Sequence, residues 1–288
     1  MRESLKEKLT NTLPPEELSK IYNSFDIVGD IVIIKKHGGN FQEVEAVAKQ
    51  IISFHKGVKT VFAQTSPIKG EHRVRELQFL AGENKATTIY KEAGCFFSVD
   101  IEKCYFSPRL SYERLCIASQ VSPGETVVNM FSGVGCFSII IAKIKPETKV
   151  YSIDVNPVAY QCMVENVRVN RVYGKVFPLL GDSMEIVQVE LQGVADCVLM
   201  PLPEKALEYL PVAVSALKKS GGWIHYYDFQ HAVGKEDPAE KTERKVAEKL
   251  DSLGVRYLLA YSRVVRSTGP NWYQTVLDIQ VASLPRKF

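Results

Sequence analysis

The chain has 288 residues, 45% hydrophobic and 24% charged, which suits a globular protein with one large and one smaller domain. No apolar run approaches the ~20 residues of a membrane span, and the charged start, Met1 to Lys8, lacks a signal-peptide core, so a cytoplasmic protein is expected. The six cysteines show no C-x-x-C pair or metal spacing, which points to buried free thiols and no metal, and the net charge of +3 only weakly favours a nucleic-acid partner.

Leu5 to Ser24 reads as helical, with Pro14-Pro15 breaking the helix or starting a second one. Ile27 to Lys35 reads as one β-branched strand, and His37-Gly38-Gly39 as a turn. Phe41 to Phe54 has helical spacing, with Val44, Val47, Ile51 and Phe54 on one face, and Val58 to Gln64 is another strand. A small α+β domain over residues 1–65 is expected. From His72, basic and apolar residues alternate as in a half-exposed strand, which places Arg73 and Arg75 on one face. A solvated charged face explains that pattern equally well. Thr87 to Tyr90 and Cys95 to Asp100 add two strands, so residues 66–110 form a β-rich connecting or substrate-binding segment. Pro108 disfavours a helix before it, and Arg109 and Glu113, four apart, share a face if helical. Such a pair is a surface ion pair, or beside a buried substrate its carboxylate is a general base.

From residue 111 strands and helices alternate. The expected helices are Tyr112 to Gln120, one through Lys143, Pro157 to Asn170, Pro203 to Lys218 and Asp237 to Gly254. Between them lie strands at Thr126 to Met130, Val150 to Asp154, Val176 to Leu180, Ala195 to Met200 and Trp223 to Phe229. Two long strands close the series, Arg256 to Val265 and Trp272 to Ala282. This predicts a Rossmann-like doubly wound sheet with an antiparallel edge over residues 111–288. Gly133 and Gly135 allow a tight turn close to a ligand, and Asp154, about 20 residues on, suits a ribose diol. Ser138 stands where a dinucleotide fingerprint has its third glycine, which favours a nucleoside ligand without a pyrophosphate. S-adenosylmethionine is the commonest ligand of that kind. Ligands sit beyond the carboxyl ends of such strands, where Phe131 to Gly135, Asp154, Asp182 and Pro201 to Pro203 converge. Asp182 suits an adenine amino group or the cap of the helix from Ser183.

His72 to Leu77, Ala81-Gly82-Glu83, Val99-Asp100, Tyr105 to Arg109 with Glu113-Arg114, the Phe131 to Gly135 turn, Met200 to Pro203 with Lys205-Ala206, and Ile224 to Tyr227 occur in one order. Together, over about Arg73 to Val281, they resemble the archaeal and eukaryotic tRNA guanosine-37 N1-methyltransferases. The resemblance implies a class I S-adenosylmethionine-dependent methyltransferase, preceded by a smaller α+β domain. Its substrate would be the tRNA anticodon stem-loop, and the protein is expected to be monomeric. Catalysis falls on Glu113, which takes the N1 proton, on Arg73, with Arg75 second by spacing, which neutralises charge on O6, and on Pro201. The cofactor-binding set is Arg114, Phe131, Gly133, Gly135, Asp154, Val155, Asp182, Ser183, Pro201 and Pro203. The substrate-binding set is Arg73, Arg75, Tyr105 and Arg109.

Pro201 stands where the family has Asn, and Asn129 where its first motif has Asp. The chain is also short for the extra N-terminal tRNA-elbow domain of many archaeal relatives. C7 methylation of a wyosine precursor at the same nucleotide therefore competes with N1 methylation. Aminocarboxypropyl transfer comes third, because Arg109 and Leu202-Pro203 are kept. Pro201 also motivates a tRNA-binding homologue without turnover.

Overall fold

In the computed structural model, which describes residues 21–36 and 41–282, the run read as one strand from Ile27 to Lys35 is a hairpin. Strands β1 (Ile21–Val28) and β2 (Ile31–Lys36) pair antiparallel across the two-residue loop Gly29-Asp30. Gly29 has φ +58°, and a Cβ there would stand 2.2 Å from Thr88 Oγ1, so turn and packing both demand glycine. Because β1 starts at Ile21, the helical reading of Leu5 to Ser24 fails over its last four residues, where pairing with β2 overrides local propensity. The rest of that helix, with Pro14-Pro15, and the His37-Gly38-Gly39 turn lie outside the described residues.

Helix α1 (Phe41–Phe54) crosses over to β3 (Thr60–Gln64), which pairs parallel with β2. Val44, Val47, Ala48 and Ile51 pack on Val32, Ile34, Val61 and Ala63. β4 (Leu77–Gly82) lies in the segment expected to connect domains, yet it completes the sheet β1-β2-β3-β4. The strand expected from His72 begins only at Leu77. A turn precedes it, in which the Arg73 amide donates to the Gly70 carbonyl at 3.0 Å and Arg73 has φ +52°. Arg73 and Arg75 are therefore not on one strand face. β5 (Thr87–Glu92) and β6 (Cys95–Asp100) form a separate hairpin, and Pro108–Leu110 is a short 3-10 helix. The first compact unit ends at Ser111 and the second begins at Tyr112.

The second unit opens one residue into α2 (Ser111–Gln120) and then alternates: β7 (Thr126–Asn129), α3 (Cys136–Ile144), β8 (Lys149–Asp154), α4 (Pro157–Val169), β9 (Val176–Leu180), α5 (Ser183–Glu190) and β10 (Cys197–Met200). It continues with α6 (Pro203–Ala216), β11 (Gly222–His231), α7 (Pro238–Ser252), β12 (Tyr257–Gly269) and β13 (Trp272–Val281). The helix starts follow from sequence. Asn156 and Asp237 cap α4 and α7, each with a proline next in line, where its missing amide costs nothing. The sheet order is β12-β13-β11-β10-β7-β8-β9, with β7 to β11 parallel and the last two strands antiparallel. This is the doubly wound sheet with an antiparallel edge that the alternation predicts. Its core includes Val128, Met130, Val198, Met200, Ile224 and Leu277. Among the described residues, no helix is long and apolar enough to cross a membrane.

Candidate active site

The chain leaves β7 toward β8 and β9, then returns to β10 and β11 on the other side. The switch point is therefore between β7 and β10, and ligands of such sheets bind in the crevice beyond the carboxyl ends there. The Met130 amide donates to the Leu199 carbonyl at 3.0 Å and the Ser132 amide to Ile153 at 2.8 Å, so the loop after β7 is tied to both neighbouring strands. Asn129 is fully buried, and its side-chain amide donates to Ser138 Oγ at 3.1 Å, pinning α3 to the end of β7.

Gly133 and Gly135 have φ +55° and +89°. The space beside Gly135 is taken by Met163 of α4, whose Cγ would lie 2.9 Å from a Cβ. Gly135 thus serves helix packing, and it is the Gly133 amide that meets the acidic residue. Asp154 ends β8, accepting from that amide at 2.6 Å and from the Asn156 amide at 2.9 Å. These two bonds fix the carboxylate between the glycine turn and the cap of α4. Val155 beside it is exposed.

Asp182 caps α5, accepting from the Met184 amide at 2.7 Å, and its other oxygen accepts from the Tyr209 hydroxyl at 2.6 Å. The capping role is realised, which leaves one lone pair on each oxygen for a ligand amino group. Tyr209 stacks edge-on against Phe131 at 5.2 Å, so the loop after β7 and that after β9 meet through these two rings. Ser183 is buried, and its hydroxyl donates to the Met130 carbonyl, a link within the scaffold. Pro201 follows β10, and Pro203 is the first residue of α6, with Leu202 between them as cap.

Glu113 is 2% exposed on α2. Its Oε1 accepts from the Tyr227 hydroxyl at 2.7 Å and its Oε2 from Arg263. Tyr226 pairs with Met200 at the end of β10, so Tyr227 is level with Pro201 at the carboxyl edge. The Tyr227 ring lies 6.3 Å from that of Phe137 in the first turn of α3, and the Arg114 guanidinium lies 6.0 Å from the same Phe137 ring. A buried carboxylate is therefore linked through two rings, Tyr227 and Phe137, to the first turn of α3 after the glycine turn.

The other four expected residues gather in the first unit. The Arg73 guanidinium stacks 4.2 Å over the Tyr105 ring. Arg75 donates to Gln64 Oε1 at 3.2 Å, and Arg109 donates to Asp26 Oδ1 at 2.7 Å. Arg109 and Glu113, expected to share a face, thus turn to separate partners. Burial lowers the Arg75 pKa and Arg109 adds to that, against the pull of Asp26 and Tyr105. The sequence reading missed Arg263 and Asp26. Both are partners of motif residues drawn from outside every motif. Among the described residues, no three His, Cys, Asp or Glu side chains group as a metal site would require.

A model of the TRM5/TYW2 methyltransferase domain matches residues 88–254, and one of the TYW2 N-terminal domain matches residues 5–85. The chain belongs to the TRM5/TYW2 methyltransferase family. It is 39% identical to a Pyrococcus abyssi tRNA (guanine(37)-N(1))-methyltransferase, Trm5b, over 93% of this chain and 78% of that protein. It is 37% identical to a Saccharolobus solfataricus tRNA 4-demethylwyosine(37)-methyltransferase, Taw21, over 92% of this chain and 96% of that protein. The crystal structure of Methanocaldococcus jannaschii Trm5 in complex with adenosine superposes with a TM-score of 0.79 at 32% identity, covering 97% of this chain and 78% of that one. Relatives of this TRM5/TYW2 chain thus include both an N1-guanosine enzyme and a wyosine-pathway enzyme.

Proposed function

We propose that this protein is an S-adenosylmethionine-dependent methyltransferase that acts on nucleotide 37 of tRNA, with N1 of guanosine as the acceptor. The observation that carries this reading is the buried Glu113 carboxylate, held by Tyr227 and Arg263 near the carboxyl ends of β10 and β11. When bound, the cofactor supplies an electrophilic methyl group on a sulfonium. In this reading Asp154 holds the ribose diol of its nucleoside half, Asp182 accepts from the adenine amino group, and Phe131 and Val155 offer apolar surface. Gly133 and Gly135 shape the turn, Ser183 anchors it, Pro201 and Pro203 form the wall after β10, and Arg114 stands near the cofactor.

In this reading Glu113 takes the N1 proton as the methyl group arrives. Arg73 neutralises charge on O6, and Arg75, Tyr105 and Arg109 hold the anticodon stem-loop. Residues 66–110 then carry the substrate contacts. The enzyme works as a monomer without a metal. Orientation and a base suffice here, because a sulfonium methyl transfer disperses charge and needs little acid assistance. The target base leaves the loop stack at modest cost.

C7 methylation of 4-demethylwyosine is a second reading with its own support. A Saccharolobus solfataricus 4-demethylwyosine(37)-methyltransferase is 37% identical over 92% of this chain, and Pro201 lacks the polar side chain of the family's Asn. One experiment separates the two. The protein and labelled cofactor are incubated with unmodified tRNA and with tRNA bearing 4-demethylwyosine, and products are mapped by mass spectrometry. Label at N1 of guanosine 37 supports the first reading, and label on the tricycle alone supports the second. Cofactor binding without product on either would refute both.

A further inference from the structure

Nothing in the sequence motifs explains how Glu113 is held in place. At 2% exposure its oxygens have almost no water to bond, so protein groups must take that place. Two side chains meet it. Tyr227 donates to Oε1 at 2.7 Å, and burial, then the Glu113 charge, push its own pKa far above the ordinary value, so it remains a donor. Arg263, 150 residues away on β12, donates to Oε2. A guanidinium stays charged at any working pH, and the Arg263 side chain is 23% exposed, so the cation keeps some water while its partner has almost none.

We propose that Arg263 is the positioning residue of the methyl-transfer site, pairing with the buried Glu113 carboxylate and fixing the oxygen that receives the substrate proton. This rests on reading Glu113 as the base. Each carboxylate oxygen accepts one bond in the structure and keeps a lone pair for the incoming proton. Among the described residues, the ionisable groups facing this pair are Tyr227 from β11, and Tyr112 and Cys116 from α2, with Asp278 of β13 acting on Tyr227. Arg263 is the cation that bonds the carboxylate. Arg114, its neighbour in sequence, lies instead against Phe137.

The test is the single-turnover rate with saturating tRNA and cofactor, measured from pH 6 to 9 on whichever tRNA the protein methylates. Glu113→Gln should lower the rate by about 10²–10⁴. Arg263→Met should lower it by about 30–300-fold near pH 7, with the deficit shrinking as pH rises because the carboxyl then ionises without its counter-charge. Arg263→Lys should recover most of the loss. Arg263→Met in the Glu113→Gln background should cost less than about threefold more, since both act through one group. A role for Arg263 as an independent phosphate contact predicts the opposite: a pH-independent loss that multiplies with Glu113→Gln and weakens tRNA binding. That pattern, or Arg263→Met within threefold of wild type beside a slow Glu113→Gln, overturns the proposal alone. A wild-type rate for Glu113→Gln removes the base reading and the proposal together. Should Arg263→Met not fold, the Arg263→Lys pH profile and Tyr227→Phe decide it. Tyr227→Phe should lose about 5–20-fold, again without adding to Glu113→Gln.

Discussion

Asp154→Ala should weaken cofactor binding by about 1–3 kcal/mol, a Kd increase of roughly 5–150-fold. The figure follows from the carboxylate's position. Each oxygen holds one backbone amide, Gly133 at 2.6 Å and Asn156 at 2.9 Å, and in the proposed reading the carboxylate also meets the two ribose hydroxyls. Two charge-assisted bonds, partly compensated by water in the half-buried site, give that range. The same change leaves two turn amides without acceptors, so unfolding stability should also fall by about 1–3 kcal/mol. Asp154→Asn separates the effects, because its carbonyl keeps an acceptor for one amide while the charge is gone. Isothermal calorimetry reads affinity, and thermal unfolding reads stability. Asp154→Ala with unchanged cofactor affinity and an intact fold would remove this residue from the cofactor site.

Pro201→Asn should raise guanosine-37 methylation if an Asn side chain assists N1 attack, and should impair the precursor reaction if the wall is shaped for a tricycle. No change on either tRNA in parallel rate assays would show the position to be only a helix entry. Asp278→Asn tests a different pair, because His225 Nδ1 lies 2.7 Å from Asp278 Oδ1 with both side chains buried. Burial disfavours the His225 charge, yet Cys197 and Asp278 outweigh it and push the pKa up to about 10. A raised folded-state pKa stabilises fully below the ordinary imidazole value of 6.5 and is lost as pH rises through about 10. The variant should therefore cost about 3–5 kcal/mol at pH 6 and less at pH 10, as read by denaturant unfolding. A gap that does not change with pH would refute that charge state. Binding to tRNA should fall steeply with salt, as lysine and arginine contacts to phosphate require, and an isolated anticodon stem-loop should bind nearly as well as whole tRNA in fluorescence titrations.

The strand–helix alternation after residue 111 was legible because each helix carries its own punctuation. Asn156-Pro157 and Asp237-Pro238 mark starts that the structure keeps. Asp154 was equally visible, since a glycine turn and an acidic residue about 20 positions on are local signals. The first unit was harder. Gly29-Asp30 sits inside an apolar run that reads as continuous, and only pairing with Thr88 nearby makes the turn evident. The alternation at Arg73 mimicked a strand, whereas the Gly70 turn sets that backbone. Arg263 was out of reach for another reason. Nothing in the pattern of an edge strand names the carboxylate it will meet.

The link between α2 and β12 also dictates when the site becomes whole during folding. Closing a loop of 150 residues costs about 4 kcal/mol of chain entropy, so that link cannot form early on its own. It must wait for β12 and β13 to dock on β11, a step that joins the first helix of the second unit to its last strands. A nascent chain with the crescent of loops from Phe131 to Pro203 already folded would have a nucleoside crevice but an unaccompanied carboxylate. Cofactor binding should therefore appear before methyl transfer during refolding, with the final hairpin acting as the clasp that makes the enzyme competent.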